Sequence, residues 1–264
     1  MTTLGAVFPP SCPPELLVPA ARAAEDAAVD ELWLWEDCFG ESGVAAAAIA
    51  LTATTRLRVG VGVMPVPLRN VALTAMEVAT IERAFPGRFV PGIGHGVQDW
   101  MGRVGNRAES PLTLLREYAT ALRALLAGER VTTDGRYVRL HDVALDWPPA
   151  AAPPVLSAAT GPRTVRLTGE VADGTILVAE STPDDVRAAR AVVDEARVAS
   201  GRADGHLLVV NLATTGDARA DADAVRARAG AGADTVVLQP AEYDEAVDPD
   251  AFVRYVGTQV RPLL

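Results

Sequence analysis

The sequence predicts an α/β fold: a single (β/α)8 TIM barrel spanning residues 1–264, with a small hairpin inserted after the fourth helix. Three observations predict it. Short, near-continuous apolar runs alternate with helical stretches along the whole chain, the pattern of a parallel sheet covered by helices. Eight such units fit into 264 residues, the size of a closed barrel. No Gly/Ser-rich linker or halfway boundary divides them, which disfavours the open doubly wound sheet.

The elements follow in order. Leu4 to Phe8 is a short apolar strand. Pro13 to Val29 reads as a helix with proline near its start. Glu31 to Trp35 is the second strand. Gly43 to Thr54 is Ala-rich and helical by propensity. Leu57 to Met64 is Val-rich and strand-like. Val71 to Ala84 is helical and Arg88 to Ile93 a strand. Pro111 to Leu126 puts Leu112, Leu115, Leu122 and Leu126 on one helical face. Between Arg130 and Trp147 an Asp134-Gly135 turn separates two β-prone runs, which predicts the hairpin. Strands then fall at Val155 to Ala158, Thr175 to Val178, His206 to Leu212 and Thr235 to Leu238. Helices fall at Pro162 to Val171, Thr182 to Ser200, Ala218 to Ala229 and Pro249 to Val260. Thr182 is the expected N-cap of the second of these, with Asp185 three residues on.

Composition narrows the function. The formal net charge is −10, which argues against nucleic acid or an anionic membrane as partner. The longest apolar run, Val44 to Leu51, is far short of the ~20 residues that cross a bilayer. No basic signal-peptide region precedes Arg22. The expectation is a soluble, cytoplasmic protein acting on a small-molecule substrate. All 24 basic residues are arginine, which excludes Schiff-base chemistry, the Walker P-loop and the kinase signature. Cys12 and Cys38 are too few for a four-cysteine zinc site. His95, His141 and His206 form no H-E-x-x-H, and their separation predicts no metal. No G-x-S-x-G elbow is present.

A barrel of this kind carries its site at the C-terminal strand ends. Those ends supply Phe8, Pro9 and Pro10; Glu36, Asp37 and Cys38; the run Gly60 to Pro67; Gly92 to Gly96; Ser157 to Thr164; and Val178 to Glu180. Each glycine-rich turn alone is an ordinary βα turn, but three at one rim suit a flat ligand. Gly92, Gly94 and Gly96 are not a dinucleotide fingerprint, because Val97 stands where its third glycine belongs. The strand, Thr160-Gly161-Pro162 and the following helix form an anion site from free N–H groups and the helix dipole, with Arg163 and Thr164 as further donors. His95 lies between glycines at the catalytic end and is the candidate proton carrier. His206 begins a strand, at the opposite face, and reads as structural. His141 falls in the hairpin, solvated. Asp37 bonds either a ring N–H or a neighbouring loop, and Cys38 reads as a packed small residue.

Two runs resemble the luciferase-like monooxygenase superfamily, and within it the branch using the deazaflavin coenzyme F420. They are "RVGVGVMPVPLRNVALTAMEVATIERAFPGRFVPGIGHG", Arg58 to Gly96, and "PPVLSAATGPRTVRLTGEVADGTIL", Pro153 to Leu177. The resemblance implies a TIM barrel whose cofactor ring rests on a bulge in the third strand, often with a non-proline cis peptide. That bulge maps onto Gly62-Val63, followed by Met64. The polar second-strand residue maps onto Asp37, and the fourth-strand glycines onto Gly94, His95 and Gly96. The phosphate segment maps onto Ala158, Ala159, Thr160, Gly161, Pro162 and Arg163, with Val178 and Ala179 beyond it. Cys38, Val97 and Ser181 replace the His, Glu and Lys of the sugar-phosphate dehydrogenases, which argues against a sugar-phosphate substrate. An insertion of longer members is missing, so a more open pocket follows. The resemblance implies hydride transfer between the deazaflavin C5 and a small organic substrate, with FMN-dependent monooxygenation as the alternative cofactor chemistry. A flavin-binding protein without turnover is a second alternative. A homodimer is also implied.

Overall fold

The computed structural model describes residues 2–202, 204–241 and 247–264. Eight parallel strands close into a barrel: β1 (Thr3–Phe8), β2 (Glu31–Leu34), β3 (Arg58–Pro65), β4 (Phe89–Gly94), β7 (Leu156–Ala158), β8 (Gly174–Leu177), β9 (Leu207–Ala213) and β10 (Thr235–Gln239). Closure is made by β1, which pairs with β2 on one side and β10 on the other. The remaining two strands, β5 (Val131–Asp134) and β6 (Arg139–Val143), form the antiparallel hairpin. The helices are α1 (Leu17–Asp26), α2 (Gly43–Ala53), α3 (Val71–Ala84), α4 (Gln98–Arg103), α5 (Pro111–Leu126), α6 (Pro162–Val171), α7 (Pro183–Ala199), α8 (Ala218–Gly230) and α9 (Pro249–Tyr255). Among the described residues no helix is long and apolar enough to cross a membrane.

Two apolar layers hold the barrel. The larger lies between sheet and helices. The smaller takes one side chain from each of seven strands: Val7, Trp33, Val90, Leu156, Ile176, Val209 and Val237. One residue per strand is the signature of a barrel interior. The eighth strand contributes Gly60, where a Cβ would lie 2.6 Å from the Trp33 ring. Trp33 is fully buried and donates Nε1–H to Glu31 Oε2 at 2.9 Å. Arg58 Nη1 lies 2.6 Å from the other oxygen of Glu31, so the indole and the carboxylate satisfy one another where water does not reach.

The expected boundaries hold to within a few residues for most elements, and those of α3, α5 and α6 coincide with the sequence reading. At α7 the Thr182 hydroxyl accepts from Asp185 N–H while Asp185 accepts from Thr182 N–H, a reciprocal cap. Three differences have local causes. The first helix opens with a 3-10 turn at Pro14–Leu16 and stops at Asp26, two residues before Ala28 takes a positive φ of 59°. Beyond Tyr255 the last helix widens into a π turn over Val256–Val260, where a Cβ on Gly257 would run into the Ala27 carbonyl. The short helix α4 has no counterpart in the sequence reading; six residues are too few to show a period.

Candidate active site

The C-terminal ends of the strands gather the sequence-predicted residues at one rim. A cavity of about 280 Å3 there is lined by Glu36 and Asp37 after β2, Gly62, Val63 and Pro65 of β3, Gly94 to Val97 after β4, Trp100 of α4, and Ala158 to Thr160 after β7. The β3 wall is irregular. Its register against β4 slips between Val61 and Met64, and the Gly62–Val63 peptide is cis, as the resemblance implied. Gly92, Gly94 and Gly62 keep this wall thin. A Cβ on Gly94 would lie 2.6 Å from Val63 Cγ2, and one on Gly62 would lie 3.1 Å from the Trp33 ring. Gly96 turns the chain away with φ +67°, a conformation that favours glycine.

Six expected contacts lie elsewhere. Met64 is buried in the layer between sheet and helices, because the register slip between Val61 and Met64 breaks the alternation of β3 and turns it away from the mouth. Val178, the residue after β8, lines a neighbouring cavity of about 390 Å3 that shares Ala159 and Thr160 with the first, and Pro162 lines it too. Ala179 lines neither cavity. Gly161 and Arg163 sit at the start of α6 rather than in either lining. That start offers fewer free donors than expected. Pro162 has no N–H, and Thr164 N–H turns back to the Gly161 carbonyl at 3.0 Å. The N–H groups of Thr160, Gly161 and Arg163 have no acceptor among the described residues. The Arg163 side chain is exposed and makes no ion pair among them.

Three titratable groups at the mouth have side-chain atoms without a hydrogen-bond partner among the described residues. His95 Nδ1 is buried without a hydrogen bond. Burial pulls the imidazole pKa below its ordinary value, a pull that the Pro111 carbonyl opposes. Burial raises the Asp37 carboxyl, and among the described residues neither a ring N–H nor a loop group bonds it. Both carboxylate oxygens of Glu41 are buried without a partner, and burial pushes this group up to about 7. Cys38 is half-buried, its thiol raised by burial and by the charges of Glu36 and Asp37.

Glu36 behaves differently. Arg69 holds both its oxygens, and Gly43 N–H, the first of α2, donates to it at 2.7 Å. Arg69 Nε in turn lies 3.4 Å from Glu77. Sequence reasoning named Glu36 at the rim but gave it no role, because its partner stands 33 residues away. Trp100 was missed with α4, and Val97 was named only as a replacement for glycine or glutamate; the tryptophan just past the glycine turn was the available signal.

Three apolar side chains near the mouth are open to solvent. Phe39 is 65% exposed, and Val97 and Val178 also face solvent.

A family model described as luciferase-like monooxygenase matches residues 9–256. The chain belongs to that family. A 5,10-methylenetetrahydromethanopterin reductase of Methanolobus tindarius is 29% identical over 187 residues, 71% of this chain and 57% of the reductase. The chain thus matches little more than half the length of this curated relative. Among solved structures, the coenzyme F420-dependent tetrahydromethanopterin reductase from Methanopyrus kandleri superposes with a TM-score of 0.83 at 17% identity, covering 99% of both chains. An FMN complex of the oxygenating constituent of 3,6-diketocamphane monooxygenase, from Pseudomonas putida, gives 0.77 at 15% identity, over 100% of this chain and 99% of the other. At those identities the family's barrel is shared and nothing finer.

Proposed function

We propose that the protein is an F420-dependent oxidoreductase transferring a hydride between the deazaflavin C5 and a small organic substrate. One observation carries the reading: the bulged Gly62–Val63 wall, the Gly94–Gly96 turn and the Ala158–Thr160 turn line one cavity. The residues fit such a cofactor. Glycines leave a thin wall for a flat ring, and the unengaged N–H groups at the start of α6 suit a phosphate. Asp37, Gly62, Val63, Gly94 and Gly96 would hold the ring, and Thr160, Gly161 and Arg163 the phosphate. The F420 dependence of the Methanopyrus kandleri reductase supports the cofactor, and the bound cofactor would supply the hydride-carrying carbon.

The chain's own part is positioning and proton handling. With its pKa held below the usual value, His95 is a neutral imidazole at neutral pH. It accepts a proton from a substrate hydroxyl during oxidation, and the resulting imidazolium returns one to a carbonyl oxygen during reduction. Closing the mouth against water falls to Trp100, Val97 and Phe39. The rim supplies no lysine, and Glu36 and Asp37 bring negative charge to it, which favours an uncharged substrate over a sugar phosphate.

FMN is the second reading, because a cradle of backbone N–H groups recognises the phosphate and not the ring. Equilibrium titrations with F420 and with FMN separate the two. Tighter F420 binding, followed by its reduction or oxidation with secondary alcohols, ketones or enones, is the expected outcome. Tighter FMN binding with oxygen consumption establishes the monooxygenase instead, and saturable binding without turnover leaves a carrier.

The implied homodimer is likewise a proposal. α2 contains no charged residue, and Ile49 on it and Leu73 and Met76 on α3 are exposed apolar side chains on an otherwise acidic chain. A second copy covers them in this reading, and a monomeric mass by light scattering at micromolar concentration removes it.

A further inference from the structure

A second cavity, also about 280 Å3, lies between the starts of α3 and α5, the loop after α4 and the hairpin. Its lining includes Arg69, Asn70, Asn106, Arg107, Tyr137 and Arg139, and it contains no carboxylate. In four other cavities of the molecule at least one Asp or Glu is in the wall. On a chain of net charge −10, a concave wall carrying only cations is a local reversal of the field.

The donors there are available to a ligand. Arg107 is exposed and makes no ion pair among the described residues. Arg139 reaches Asp134 at 3.3 Å, but both side chains are more than 70% exposed, and such pairs hold weakly. Asn70 uses its Oδ1 to cap α3 through Ala72 N–H at 2.9 Å, which leaves its amide NH2 to donate. The hairpin that carries Tyr137 and Arg139 is fixed, because the Glu117 carboxylate of α5 accepts the N–H groups of Arg136, Tyr137 and Val138. Gly105 turns the facing loop at φ +75° two residues before Arg107. Guanidinium groups set against side-chain amides are the chemistry that receives carboxylate and phosphate oxygens.

We propose that this cavity is an anion site for a small ligand bearing a carboxylate or phosphate group. It stands one salt bridge from the cofactor cavity: Glu36 lines that cavity, and Arg69, which holds Glu36, lines this one. The site does not depend on which cofactor the protein uses, and its test needs none.

The test is site-resolved arginine modification. The full chain is treated with phenylglyoxal in succinate, in inorganic phosphate and in sodium chloride of equal ionic strength, and modification is read at each arginine by mass spectrometry. Saturable protection of Arg107 and Arg139 at millimolar succinate or phosphate, with exposed Arg219 unprotected, is the expected result. Protection by succinate alone assigns a carboxylate ligand, and by phosphate alone a phosphate ligand. In Arg107→Ala, protection of Arg139 should need at least tenfold more anion. Protection equal to that in chloride, equal protection at Arg219, or half-protection unmoved by Arg107→Ala overturns the proposal. Both arginines are exposed, so the variants keep the fold, which circular dichroism checks.

Discussion

At the floor of the barrel, Arg197 donates to His206 Nδ1 at 3.2 Å, so the ring proton sits on Nε2 and goes to Thr175 Oγ1 at 2.8 Å. Thr175 passes its own hydroxyl proton to Thr168 at 2.6 Å, and Thr168 donates to the Val165 carbonyl at 2.7 Å. Each polar group in that chain is satisfied. At the mouth, three N–H groups of exposed or half-buried residues around the start of α6 have no acceptor among the described residues, and the buried His95 Nδ1 and both oxygens of Glu41 have no partner there. A buried polar atom without a partner costs about 1–3 kcal/mol. The His206 chain therefore closes its polar account, as other floor groups such as Arg202 Nη1 and Glu82 Oε2 do not, while the residues around the cavity at the mouth leave theirs open. The difference teaches where a ligand is expected: unmet hydrogen-bonding capacity stays in place when something outside the chain meets it.

The comparison breaks most visibly at His95. His95→Ala should lower turnover by roughly 10²–10⁴, the range for a lost acid or base, with the thermal transition unmoved. In the parent, turnover in the oxidising direction should be flat at neutral pH. It should fall on the acid side of about 6.5 as the depressed imidazole takes up its proton. His95→Asn should erase that inflection. Normal turnover of both variants once saturated with cofactor would falsify the proton role.

At the floor the effect should be on stability alone. Arg197→Ala strips the partner from His206 Nδ1 and from the carbonyls of Ala172, Asp204 and Gly205. A loss of about 2–4 kcal/mol in urea unfolding is expected, with cofactor affinity unchanged. His206 is held down to about 3 by burial first and by Arg197, Arg190 and Arg202 next. Its unfolded value is about 6.5, so its neutral form supports the fold above that pH. This support fades as the pH falls from about 6.5 toward 3.

Between these two lies Arg163→Ala, which removes a charge-assisted donor beside the α6 cradle. F420 affinity should drop by about 1–3 kcal/mol; an unchanged Kd means that the backbone N–H groups hold the phosphate unaided.

The smallest effect is at Glu41. Its folded pKa of about 7 lies above the ordinary carboxyl value. The native state therefore holds a proton that the unfolded chain releases, and the ionised group weakens the fold increasingly as pH rises from about 4.5 to 7. Glu41→Gln should stabilise the protein by roughly 1–2 kcal/mol at pH 8, after solvent screening of a partly exposed group, and hardly at all at pH 4. An equal gain at both pH values shows that charge is not the cause.

The barrel was legible because apolar strand runs, proline starts and the Thr182 cap are local signals, each visible within a dozen residues. The rim was legible for a related reason: in a barrel, position after a strand assigns an end. What escaped depends on distance along the chain. Glu36 acquires its partner 33 residues later, and Glu41 is unusual only because of what does not surround it. Met64 was assigned to the ring by its neighbours in sequence, while the register slip in β3 sends it outward. The donor count of the turn before α6 was read too high, since Thr164 folds back on Gly161.

Trp33 leaves a further mark on the chain. A Cβ on Gly5 would lie 2.9 Å from this indole, on Gly60 2.6 Å and on Gly62 3.1 Å. Glycines from two different strands are thus the mould of a single ring, and none of these three takes a positive φ. Substitution at these positions is then a matter of shared volume. A larger residue at 5 or 60 becomes admissible only in company with a smaller one at 33, and alone it meets a full barrel. The four positions form one unit of inheritance spread over 58 residues, so relatives that lack the tryptophan should be those free to lose the glycines.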